Sequence, residues 1–317
     1  MNKTQGAAFG VRRSAIALRL SAFAAVAFIV ATPIAAQATK KATLDRARVP
    51  EAGKAPELRV PDWTRTKLAN GAELIVSVRR GLPLASVTID FLGGALQFED
   101  AQKLGTASLT AQMMSEGTTT RSGDQLADAQ QMLGTQIGVR VGNENGSVGF
   151  TSLSGKLESA FEIMADVLLN PSFPAEALAR RRGQMLVNLT QAKDQPNSIA
   201  SNVFSKVLYG DEHPYGRVVT DKTVNAVTRD DIVAFHQAYF RPGRAIVTIV
   251  GDVDPARARS AFEKAFANWK AGGERPTFAY PPVPPSRSTT IYLVDKPKAA
   301  QSVFALGAPG PARDTPD

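Results

Sequence analysis

The chain has 317 residues, with 37 Lys and Arg against 29 Asp and Glu, a formal net charge of +8, two histidines and no cysteine. The absence of cysteine excludes disulfides, thiol nucleophiles and thiolate metal sites, so the fold relies on core burial, which a 44% hydrophobic composition allows. Four of the basic residues and none of the acidic ones lie in residues 1–38, so the charge is halved once that segment is set aside, and no basic run interleaved with aromatics supports nucleic-acid binding.

Residues 1–38 carry Lys3, Arg12, Arg13 and Arg19, then an apolar run from Leu20 to Ala36, then Ala36-Gln37-Ala38. This is the layout of a secretory signal peptide cleaved after Ala38, and the run is too interrupted for a retained membrane span. The expected location is therefore periplasmic or secreted, with the export route open. Residues 39–61 are polar and proline-interrupted and read as a flexible lead-in.

A first α+β domain is expected over 62–271. Thr64–Leu68 and Glu73–Val78 flank Asn70-Gly71 as a hairpin, and Ala85–Leu92 follows as a third strand before Gly93-Gly94. The spacing predicts helices over Gly105–Glu116, ended by Gly117, and over the more polar Gly123–Leu133. Gln136–Arg140 and Ser147–Leu153 alternate around Gly142–Gly146 as a second hairpin, and an edge at Ser147–Leu153 would suit an extended peptide. Helices are expected at Lys156–Leu169, Pro174–Lys193, Ile199–Leu208, Arg229–Tyr239 behind Thr228, and Pro255–Trp269, with an apolar strand at Ala245–Val250. Arg180-Arg181-Arg182 reads as a solvated helix side. The prolines of 272–288 mark a semi-rigid linker, and Thr289–Val294 and Ser302–Gly307 read as strands that begin a second domain.

No G-x-S-x-G elbow, P-loop or G-x-G-x-x-G after a strand is present. His213 lies in a loop and suits a turn or packing role, and His236 suits an ordinary helical position; a zinc site of these two and a carboxylate is conceivable but has no motif spacing behind it.

The order of segments is more specific. Asn70-Gly71, Gly93-Gly94 before Glu99-Asp100, Leu104-Gly105-Thr106-Ala107, Met113–Thr118, Ala165–Phe173, His213-Pro214-Tyr215-Gly216, Tyr239-Phe240-Arg241-Pro242-Gly243 and Val250-Gly251-Asp252-Val253 together resemble the pitrilysin/insulinase family of zinc metallopeptidases over about residues 60–317. The resemblance implies a mixed, largely antiparallel sheet with helices on one face, followed by a second similar domain. It also implies an inverted zinc motif, H-x-x-E-H, whose residues share one helical face so that two imidazoles reach one metal and the glutamate activates water. Here the matching positions are Ser108, Ala111 and Gln112, and the family's third ligand, a glutamate, falls at or near Asn188. No cofactor is therefore expected in this chain, although active members hold zinc. The resemblance implies a non-catalytic subunit that pairs with an H-x-x-E-H homologue and binds peptide. The alternatives are a scaffold module with no peptidase partner, or a truncated fragment.

Overall fold

The structure, a computed structural model, describes residues 53–55, 57, 61–277, 279–285, 288–310 and 315. The expected signal peptide lies outside the described residues, and so does most of the lead-in. All elements described here belong to the compact unit Arg59–Asp317.

Six strands form one sheet: β1 (Thr64–Lys67), β2 (Glu73–Val78), β3 (Leu84–Leu92), β4 (Gly138–Val141), β5 (Asn145–Leu153) and β6 (Ala245–Gly251), in the order β1-β2-β6-β3-β5-β4. Only the β2–β6 pair is parallel; the other four are antiparallel. The β1–β2 turn falls at Asn70-Gly71, where Gly71 adopts φ +98° and Asn70 Oδ1 accepts the Ala72 N–H at 3.2 Å, two roles that asparagine and glycine suit.

Alternation along β3 buries Ala85, Val87, Ile89 and Phe91 and leaves Leu84 and Ser86 exposed, so one sheet face carries the core. Nine α-helices occur among the described residues: α1 (Ala95–Phe98), α2 (Thr106–Met113), α3 (Gly123–Leu133), α4 (Leu157–Leu169), α5 (Ala175–Ala192), α6 (Pro196–Tyr209), α7 (Asp221–Ala226), α8 (Arg229–Tyr239) and α9 (Pro255–Ala265). Phe161 of α4 meets Phe150 of β5 at 5.8 Å and Phe262 of α9 at 5.6 Å, both edge-on. Phe91 of β3 is ringed by Tyr239, Phe240 and Trp269 at 5.1–6.1 Å. These offset and edge-on contacts are the arrangements aromatic quadrupoles favour.

The architecture is the expected α+β one, with local differences. Gly105 is the N-cap of α2 at φ +104°, and α2 ends at Met113 instead of Glu116. The β4–β5 hairpin is tighter than expected, with β5 starting at Asn145. The short helices α1 and α7 were not anticipated; α7 is held by a reciprocal cap between Thr220 and Thr223. The strands expected at 289–294 and 302–307 form no ladder among the described residues. Alternation alone does not make a strand without a neighbour to bond, and Ile291, Leu293, Phe304 and Leu306 stand 88–100% exposed.

Candidate functional site

The helix α2 is placed by a buried carboxylate. Glu99 Oε1 accepts the Gly105 N–H at 3.0 Å and the Ala107 N–H at 2.6 Å, satisfying amides that the first helical turn leaves without partners. Burial pushes the Glu99 carboxyl above its ordinary range, with the two backbone bonds opposing. At the other end, Glu116 binds Arg180 and, at 2.6 Å, Arg181 Nε, both near the start of α5. A Cβ on Gly105 would lie 3.4 Å from Met185 Cε, further along α5, so the two helices run antiparallel in contact. The arginine triplet keeps a solvated side, with Arg180 64% and Arg181 38% exposed, while all three guanidiniums are engaged, Arg182 donating to the Val227 carbonyl at 2.6 Å.

On α2, Ala111 is buried, while Ser108 and Gln112 are half-buried one turn apart and bonded to each other, Gln112 Nε2 donating to Ser108 Oγ at 3.1 Å. Asn188 is exposed on α5, where its Oδ1 accepts from Gln184 Nε2 at 3.1 Å. A hydroxyl, a methyl and two carboxamides are not a zinc donor set, since zinc is held by thiolate, imidazole and carboxylate. Among the described residues, no three His, Cys, Asp or Glu side chains converge as a metal site. Zinc therefore does not fit these four positions.

The two histidines lie among aromatic rings. His236 bonds the Leu168 carbonyl through Nε2 at 2.8 Å and meets Phe173 and Phe240 edge-on or tilted; burial lowers its pKa. His213, only 4% exposed, lies among tyrosine rings and accepts the Tyr215 N–H at Nδ1, 3.1 Å away.

The expected edge at Ser147–Leu153 is covered in part, since β4 pairs with Gly146–Gly149 while Phe150–Leu153 pair with β3 alone. Ser147 pairs with both Asp90 of β3 and Arg140 of β4, so the first half of β5 is interior. The edge is β4, paired on one side only, and it packs beside α2. The opposite edge, β1, is short and carries Arg65 and Lys67, the charged kind of edge that discourages strand addition.

Several residues escaped the sequence reading. The capping role of Glu99 depends on a fold-back over six to eight residues. Asp166 gathers Thr118, Thr120, Arg121 and Asn170 around one carboxylate. Tyr239 donates to the Gly93 carbonyl at 2.6 Å, and buried Arg244 lies 4.5 Å over the Phe98 ring. The sequence shows only isolated polar residues there, because most of the partners, such as Thr118 for Asp166 and Gly93 for Tyr239, are distant along the chain.

Residues 75–218 match the profile of the insulinase family, peptidase family M16, and residues 226–317 match that of the peptidase M16 inactive domain. An uncharacterized zinc protease of Mycobacterium leprae is 26% identical over 257 residues, covering 78% of this chain and 56% of the relative. One from Rickettsia felis is 25% identical, covering 56% and 43%. The chain spans about half the length of these relatives. Among solved structures, a peptidase M16 inactive domain from Pseudomonas fluorescens superposes with a TM-score of 0.64 at 28% identity, over 69% of this chain and 53% of that one. The periplasmic protease PqqL of Escherichia coli shares the fold with a TM-score of 0.60 at 17% identity, over 70% of this chain and 26% of its own. No helix among the described residues is long and apolar enough to cross a membrane.

Proposed function

The chain belongs to the insulinase (M16) peptidase family, and we propose that it is an exported, non-catalytic, peptide-binding subunit that pairs with a zinc-bearing homologue. The observation that carries this reading is the pairing of Gln112 with Ser108 on an intact, well-anchored α2. The helix has its cap, its contact with α5 and its place beside an open edge strand, while Ser108 and Gln112, two of the positions matching the metal motif, bond to each other. Retaining the scaffold without the ligand chemistry suits binding rather than hydrolysis.

Peptide binding is supported by β4, whose free edge offers main-chain donors and acceptors to an extended segment. Export is supported by the layout of residues 1–38, which would deliver the chain to the periplasm or beyond. The domain scheme is proposed as 62–271 for the first domain, 272–288 for the linker and 289–317 for the start of a homologous second one. The exposed apolar rows at 291–294 and 303–306 support a further unit after the linker, because such rows call for cover.

The test is affinity capture of the tagged chain from its native cell envelope, followed by mass spectrometry. Recovery of an H-x-x-E-H homologue in stable proportion, with the pair binding peptide more tightly than the homologue alone, is expected. Capture without any such homologue, together with no measurable peptide binding, would sink the proposal.

A further inference from the structure

The segment after α9 is fastened to the domain at defined points. Gly243 N–H donates to the Gly272 carbonyl at 2.9 Å, and Arg275 reaches Glu73 at 3.4 Å. The Pro276 ring lies against Gly93 and that of Pro284 against Gly210, where added Cβ atoms would come within 3.2 and 3.4 Å. Between these points sits Tyr280. Its hydroxyl bonds Gln97 Nε2 of α1, and its ring lies 5.4 Å from His213 and 5.5 Å from Tyr215. His213 in turn stacks on Tyr209, at the end of α6, and on Tyr215, at 5.0 and 5.4 Å.

This seat suits one protonation state of the imidazole. Because the Tyr215 N–H points at Nδ1, that nitrogen must keep its lone pair. A proton on Nδ1 would set two N–H groups against each other and place a charge on a ring that is 4% exposed. The groups facing it offer no free carboxylate: Tyr209 from α6, Tyr215 from the turn, Tyr280 from the linker, and the cation Arg217. Of the acids in the same loop, Asp211 is paired with Lys206 at 2.9 Å and Glu212 is exposed; Glu144 acts on Tyr280. Tyrosine faces attract a cation and so oppose this trend. Burial first, then Arg217, outweigh them and hold the His213 pKa below its ordinary value.

We infer that His213 is a proton-operated latch for the linker: the neutral ring keeps Tyr280 seated against Gln97 and Tyr215, and the imidazolium releases Tyr280 and Pro284 from α1 and the end of α6. The latch reaches the candidate site through α1. Gln97, which receives Tyr280 through Nε2, accepts the Gly94 N–H at 2.7 Å through Oε1, and α1 leads directly to Glu99 at the head of α2. Acidification would therefore loosen the linker and the lead-in to α2 together.

The chain has no cysteine, so a single Ala279→Cys substitution beside Tyr280 accepts a nitroxide label cleanly. Electron paramagnetic resonance of the labelled full chain is read between about pH 8 and about pH 5, on either side of the ordinary imidazole pKa. The label is expected to be immobilised at the upper end, with a mobile component growing as the pH falls. In a Tyr280→Ala background it is mobile throughout. In His213→Gln, whose amide oxygen can accept the same N–H without titrating, it stays immobilised throughout. Arg217→Gln, which removes the neighbouring cation, shifts the release to higher pH. A label in the parent that is equally mobile at both ends, pH-dependent release that persists in His213→Gln, or a midpoint unmoved by Arg217→Gln would overturn the inference.

Discussion

The Glu99 carboxylate anchors the first turn of α2 through Ala107, with Oε1 accepting the Ala107 N–H at 2.6 Å while also receiving the Gly105 N–H at 3.0 Å. The helix bearing the motif positions is therefore held by an acid whose own ionisation is opposed by burial. With the folded pKa raised, Glu99 contributes stability fully at low pH, and that contribution is lost as the pH rises through its folded value. Glu99→Gln keeps the acceptor oxygen and removes the charge, so its urea-unfolding stability should match or exceed the parent at neutral pH and vary less between acid and neutral conditions. Glu99→Ala leaves two helix-start amides without their acceptor and should cost about 1–3 kcal/mol.

Asp166 behaves in the opposite sense. Burial pushes its carboxyl up, but hydrogen bonds from Thr118, Thr120, Asn170 and Arg121 outweigh burial and hold it below the ordinary range. A depressed folded pKa gives stability that is present above the unfolded value and lost as the pH falls through the folded one. Asp166→Asn should cost about 1–3 kcal/mol at neutral pH, because it removes the carboxylate that Arg121 pairs with, and should flatten the acid limb of the stability profile. Denaturant titrations of parent and variant across that limb measure both effects.

The aromatic ring around Phe91 gives the fold its centre. Phe91 is fully buried, and Phe240 and Trp269 meet it edge-on while Tyr239 is tilted. Phe91→Ala should cost about 3–5 kcal/mol, and the cavity should also loosen the Tyr239 contact to the Gly93 carbonyl. Chemical denaturation gives the loss, and faster amide exchange at 91–94 locates it.

Local patterns made most elements readable. Alternation in β3, the long apolar spacing of α4 and Asn70-Gly71 at a hairpin turn were visible from neighbouring residues, whereas α2 stops at Met113, short of the Gly117 that its pattern pointed to. The parallel β2–β6 pairing was not visible, because it joins residues more than 170 positions apart and leaves no local trace. For the same reason the expected edge at Ser147–Leu153 is only partly open: β4 covers Gly146–Gly149, while Phe150–Leu153 pair with β3 alone. The arginine triplet keeps the solvated side its sequence suggests, but its partners, Glu116 and the Val227 carbonyl, lie far along the chain and leave no local trace. At the candidate site, the resemblance named Ser108, Ala111, Gln112 and Asn188 as the matching positions. The Gln112–Ser108 bond and the Glu99 cap depend on side-chain placement that spacing does not specify.

The most direct measurement of the central claim is the zinc content of the purified chain after gel filtration, read together with hydrolysis of an unstructured peptide by the chain alone. Four neutral side chains at the matching positions predict sub-stoichiometric zinc that exchanges freely, and no chelator-sensitive cleavage. Tightly held zinc at one per chain, with cleavage that a chelator abolishes and added zinc restores, would contradict the account.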